Sequence, residues 1–132
     1  MHHPPSLLVV NDEANFIVLL DRILSGEGYQ VTAVCGSDRA LYHLDRESFD
    51  LAILDIKMYP MNGVELLGEI KRRSPSTPVI MVSGNLTDSI RDECIKLGAT
   101  DYLTKPFELS ELKAAVRHVA GCARGNSEYK EI

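Results

Sequence analysis

"LLVVNDE", residues 7–13, drives four apolar residues directly into an amide and two acids. An apolar run with no in/out alternation suits a strand covered on both faces, the usual setting of parallel sheets. The abrupt polar end places Asn11 and Asp12 at an edge of such a sheet. Similar runs recur at residues 31–34, 51–54 and 79–82, with a weaker one at 100–103.

Helical spacing fills the intervals. Ile17, Leu20 and Leu24 fall at i, i+3 and i+7, and that helix stops in the Ser-Gly-Glu-Gly of residues 25–28. Ser37 is expected to cap a second helix carrying Ala40, Leu41 and Leu44. Asn62-Gly63 opens a third with Val64, Leu67 and Ile70, ending before Pro75 and Pro78. Ile90, Cys94 and Leu97 mark a fourth that closes at Gly98, a residue type suited to the position after a helix. Leu109, Leu112, Val116 and Val119 mark a fifth, expected to end near Gly121. Five strand–helix pairs in strict alternation predict a doubly wound α/β fold: an open parallel sheet, helices on both faces, right-handed crossovers.

Composition narrows the function classes. The chain has 132 residues, one domain's worth, with 45% hydrophobic and 25% charged residues, which argues against disorder. A net charge of −5 with no basic stripe argues against a general nucleic-acid binder. No apolar stretch is long enough to span a membrane, and residues 1–5, with His2 and His3, lack the apolar core of a signal peptide. These five residues are read as a tail or a tag remnant. Cys35, Cys94 and Cys122 are odd in number and widely spaced, which points to reduced thiols in a cytoplasm. Residues 121–132 lose apolar periodicity and read as a tail or the start of a linker.

In such sheets ligands bind beyond the carboxyl ends of the strands. That edge collects Asn11 and Asp12 from the first strand, Asp55 from the third, Ser83 from the fourth and Lys105 after the fifth. Two carboxylates there repel unless a cation lies between them, and an oxygen-rich site with few protein ligands suits Mg²⁺. A lysine and a hydroxyl opposite would balance the oxygens of a transferring phosphoryl group, and an aspartate so placed is a nucleophile that forms an acyl phosphate. Taken singly, Asp12 reads as a helix cap, Asp55 as a turn residue and Ser83-Gly84-Asn85 as loop. Their joint occurrence at four strand ends favours one reaction.

Four stretches, "LLVVNDE", "DLAILDIKMYPMNGVELL", "PVIMVSG" and "GATDYLTKPF", resemble in order and spacing the receiver domain of two-component response regulators, over residues 6–120. The resemblance implies a flavodoxin-like sheet of order 2-1-3-4-5. It implies Asp55 as phosphoacceptor, served by the phosphohistidine of a sensor histidine kinase or phosphotransfer protein. Asp12, Asp55 and the backbone carbonyl of Lys57 would hold Mg²⁺ (or Mn²⁺), with Asn11 reaching it through water. Lys105 would contact the phosphoryl group, Ser83 and Tyr102 would switch, and the fourth helix, fifth strand and fifth helix would repack. Lys57 and Asn85 would tune the phosphoryl lifetime, and the Lys105–Pro106 bond would be cis. Also implied are a cytoplasmic protein that is no conventional enzyme, a C-terminal output domain, a phosphorylation-dependent dimer, and no direct contact of this domain with nucleic acid or membrane.

The chain departs from the family twice. Asn11 stands where an acid is usual, and proline follows one residue late in Met58-Tyr59-Pro60, which puts Tyr59 at the entrance to the site. A divalent ion about 4 Å from a carboxylate gains roughly 8 kcal/mol gross at an effective dielectric near 20. An intervening water and competing hydration reduce the net loss to about 1–2 kcal/mol, or roughly tenfold in Mg²⁺ affinity. Glu13 is expected in the first helical turn, favouring the macrodipole. Asn11 also supports a competing reading, a non-phosphorylated binding or dimerisation module, against which stand Asp12, Asp55, Ser83 and Lys105. An aspartate-nucleophile phosphatase would have its Asp-x-Asp pair on the first strand, which is absent. A flavodoxin-like cofactor site would need a phosphate cradle where "NDEAN" presents acids.

Overall fold

The computed structural model describes residues 4–58, 60–84 and 87–131, with the backbone alone for 122–131. His2, His3, Tyr59 and Asn85 lie outside the described residues, as does the side chain of Cys122. The elements run β1 (Ser6–Asn11), α1 (Ala14–Gly26), β2 (Gln30–Cys35), α2 (Ser37–Leu44) and β3 (Leu51–Asp55). They continue with α3 (Gly63–Arg73), β4 (Val79–Ser83), α4 (Asp88–Lys96), β5 (Asp101–Thr104) and α5 (Leu109–Glu131). All strand pairs are parallel, in the order β2-β1-β3-β4-β5. This is the doubly wound sheet predicted from the sequence.

Strand alternation sorts the core into two layers. Leu8, Val10, Ala52, Leu54 and Met81 point to α2, α3 and α4, meeting Ala40, Leu66, Leu67, Ile70 and Cys94. Leu7, Val9, Leu51, Ile53, Ile80 and Val82 point the other way, against Leu20 and Leu24 of α1 and Leu112, Val116 and Val119 of α5. Every residue of β3 and β4 is buried, whereas β2 and β5 are half-exposed edges. The continuous apolar runs are therefore the central strands, and the weaker run at 100–103 is an edge.

Local chemistry sets the helix starts, with some differences from expectation. Asn62 caps α3 in a reciprocal box: its side chain accepts the Glu65 N–H at 2.9 Å while Glu65 accepts the Asn62 N–H at 3.0 Å. Ser37 does not cap α2. It is the first helical residue, fully buried, and its hydroxyl accepts the Met61 N–H at 2.9 Å. The cap position belongs to Gly36, whose φ of 91° is open to glycine and whose N–H donates to the Asn11 carbonyl. Glu13 likewise lies outside the first helical turn, at the cap position of α1, and makes no side-chain cap bond. Leu109 and Leu97, expected on buried faces, are 41% and 38% exposed. The fifth helix does not end near Gly121; its backbone stays helical to Glu131.

Gly63 ties α3 to the end of β3. Its N–H donates to the Ile56 carbonyl at 2.8 Å, and a Cβ there would collide with the Asp55 carbonyl and lie 2.8 Å from the Ile56 Cα. Backbone cannot yield as a side-chain tip can, so Gly63→Ala is expected to cost about 3 kcal/mol. Urea unfolding checks this, and perturbed amide resonances around Asp55 should accompany the loss.

Candidate functional site

Three central strands end on functional groups at one sheet edge: β1 on Asn11, β3 on Asp55 and β4 on Ser83. Parallel register sets Asp55 beside Val82 and Ser83 beside Thr104, the last residue of β5. The Lys105 N–H continues the pairing, donating to the Ser83 carbonyl at 2.8 Å. The Lys105–Pro106 bond is cis.

These ends surround a cleft of about 360 Å³ whose lining includes Asp12, Glu13, Asp55, Lys57, Ser83 and Lys105. Asp55 is 7% exposed and Ser83 2%. The Lys105 ammonium donates to the Asp55 carboxylate at 3.4 Å, lies 3.7 Å from the Glu13 carboxylate, and sits 4.5 Å from the centre of the Phe16 ring. Phe16 meets Phe107 edge-on, joining the start of α1 to the segment before α5. The ammonium is thus seated between two acids and an aromatic face, where cation–π attraction adds to the Coulombic term.

Asn11 is placed differently from the other predicted residues. It is 2% exposed, is not among the residues lining the cleft, and accepts the Glu13 N–H on Oδ1 at 2.8 Å. Tyr102 is half-buried against the α4 side of the core, with the Arg91 guanidinium 4.2 Å from its ring centre. The Cys35 thiol donates to the Asp12 carbonyl at 3.4 Å, and burial pushes the Cys94 thiol upward from its ordinary value. Residues missed by sequence reasoning are Phe16 beneath Lys105, Arg91 over Tyr102, and the Glu13–Lys105 pairing. Pairings between residues so far apart in the chain leave no signal in local spacing.

The lining fits a small hard cation. Three carboxylates against two ammonium groups leave it net negative. Among the described residues, no group of three or more His, Cys, Asp or Glu is arranged to hold a metal. A cation there would rest on the Asp12 and Asp55 carboxylates, backbone oxygen and water, a donor set that Mg²⁺ accepts because it retains several waters. No helix among the described residues is long and apolar enough to cross a membrane.

Residues 7–117 match the response regulator receiver domain. The chain belongs to that family. The sensory transduction protein RegX3 of Mycobacterium tuberculosis is 35% identical over 127 residues, covering 96% of this chain and 55% of RegX3. A CheY-like response regulator receiver domain from Methanospirillum hungatei superposes with a TM-score of 0.89 at 27% identity, covering 93% of this chain and 98% of that one. The receiver domain of the sensor histidine kinase PA1611 from Pseudomonas aeruginosa has a TM-score of 0.80 at 26% identity, covering 89% and 98%. That structure has a magnesium ion coordinated in its active-site cleft. The chain spans from about a quarter to about half of the curated relatives it matches. As a receiver domain it is a signalling module of two-component systems and not a conventional enzyme.

Within this receiver, Asn11 holds the backbone between β1 and α1. Asn11→Ala removes the acceptor of the Glu13 N–H and is expected to cost about 1–2 kcal/mol, while Asn11→Asp keeps the acceptor and most of the stability. Urea midpoints of the two variants check the contrast.

Proposed function

We propose that this receiver accepts a phosphoryl group on Asp55 from the phosphohistidine of a sensor histidine kinase or phosphotransfer protein, in a step requiring Mg²⁺ or Mn²⁺. The observation that carries this reading is the Lys105 ammonium 3.4 Å from the Asp55 carboxylate, in a cleft shared with Asp12 and Ser83. An Asp55 oxygen attacks phosphorus, the phosphorus–nitrogen bond breaks, and its electron pair leaves with the imidazole. A divalent cation on Asp12, Asp55 and the Lys57 backbone carbonyl would neutralise charge on the phosphoryl oxygens. Lys105 takes a further phosphoryl oxygen, and the Ser83 hydroxyl donates to another.

Ser83 and Tyr102 then bias the surface of α4, β5 and α5. Moving that equilibrium from 1:99 to 99:1 needs about 5.5 kcal/mol of differential stabilisation, which the cation, Lys105 and Ser83 share. Lys57 and Asn85 set how long the phosphoryl group survives. Residues 6–120 constitute the receiver unit, and residues 121–132 lead toward a C-terminal output domain. The setting is cytoplasmic, and the phosphorylated form dimerises.

Incubation with acetyl phosphate and Mg²⁺ is expected to add one hydroxylamine-sensitive phosphoryl group, absent in Asp55→Asn. Lys105→Met should slow its formation about a hundredfold. A wild-type chain that stays unmodified in mass spectra supports the non-phosphorylated binding module, the reading to which the amide at position 11 lends support. Restoring the acid with Asn11→Asp is expected to tighten Mg²⁺ roughly tenfold in calorimetric titration.

A further inference from the structure

We propose that Glu13 is a positioning residue for Lys105, drawing the ammonium off Asp55 so that the acceptor carboxylate remains open to the divalent cation. The inference rests on the phosphoacceptor reading of Asp55 and deepens it. One ammonium is shared by two carboxylates, 3.4 Å from Asp55 and 3.7 Å from Glu13. Whatever fraction of its time it spends on Asp55, it competes there with a metal for the same oxygens.

The placement of Glu13 is specific. Its carboxylate does not cap α1, although the residue occupies the cap position. Instead its side chain lines the cleft and meets Lys105. The Asn11 side chain holds the Glu13 backbone at this place by accepting its N–H at 2.8 Å. The chain therefore lacks an acid at position 11 yet presents one at position 13, anchored by the amide that replaced it. The Phe16 ring, 4.5 Å from the ammonium, gives Lys105 a third support that does not compete for cations.

Glu13 acts through Lys105, and a double-mutant cycle isolates that dependence. Mg²⁺ affinity is measured by calorimetry on the wild type, Glu13→Gln, Lys105→Met and the double variant, with thermal melts as a check on folding. The Glu13 side chain is 72% exposed, so the effect is modest: Glu13→Gln is expected to weaken Mg²⁺ about threefold to fivefold. Lys105→Met should tighten it, and adding Glu13→Gln to Lys105→Met should then change nothing. A Glu13→Gln effect of equal size in both backgrounds overturns the proposal, since Glu13 would then act on the cation directly. An unchanged affinity in the wild-type background overturns it as well.

A metal-free arm separates this inference from the reading beneath it. The Lys105 Cε resonance is expected to move in Glu13→Gln, and an unmoved resonance overturns the ion pair itself. If no variant binds Mg²⁺, the metal-dependent function fails, and the positioning role fails with it even where the resonance shifts.

Discussion

Two carboxylates delivered to one sheet edge by neighbouring strands are the constraint on which the rest of this structure depends. At about 5 Å and an effective dielectric near 20, like charges repel by roughly 3 kcal/mol. A fold that keeps Asp12 and Asp55 together must hold positive charge nearby. Lys105 supplies it, and its position follows from the backbone: the N–H is paired to the Ser83 carbonyl, which extends the β4–β5 ladder one residue past β5. Asp55 ends a central strand whose every residue is buried, so its side chain has no room to turn away, and Asp12 follows directly on the buried end of β1. Burial on both faces is thus what makes the edge chemically concentrated.

Most of the fold was legible for the same reason. Strands covered on two faces read as unbroken apolar runs, and β1, β3 and β4 stand out in the sequence accordingly. The edge strand β5 read weakly because half its surface is exposed. The strand-end rule then located Asp12, Asp55, Ser83 and Lys105 without any knowledge of contacts, and all four line one cleft. What stayed hidden depends on tertiary partners. Ser37 looks like a cap in isolation, but it is buried and engaged by the Met61 N–H. The backbone of α5 runs beyond the last apolar residue of its periodic face, and periodicity reports the buried face of a helix, not its length.

The Tyr102 environment ties the strand that leads to Lys105 to the surface of α4. Tyr102 belongs to β5, whose backbone leads within three residues to Lys105. Its ring faces Arg91 of α4, whose Nε is buried and makes no hydrogen bond among the described residues. A buried guanidinium nitrogen without a partner is costly, and the ring's negative face offsets part of that cost. Moving the ring removes this support, so the position of Tyr102 and the packing of α4 are energetically linked. On the proposed phosphoacceptor reading of Asp55, that linkage is the contact through which a change at the site would bias α4.

Asn11 links the geometry of the β1–α1 junction to the electrostatics of the edge. An acid at this position would serve electrostatics, adding charge to an edge that already carries three carboxylates. The amide instead serves geometry: it accepts the Glu13 N–H, its own carbonyl accepts the Gly36 N–H, and it pairs in register with Cys35 of β2. An aspartate side chain offers the same acceptor oxygen, so the backbone does not require an amide. What the amide changes is the charge, together with an NH₂ donor in place of one carboxylate oxygen. The additional negative charge is thereby carried not at the buried strand end but on the exposed Glu13, where solvent screens it and it pairs with Lys105. On the proposed reading, metal affinity in this receiver would be a balance among Asp55, Glu13 and the Lys105 ammonium, and that balance would respond to ionic strength more steeply than a buried acid at position 11 would allow.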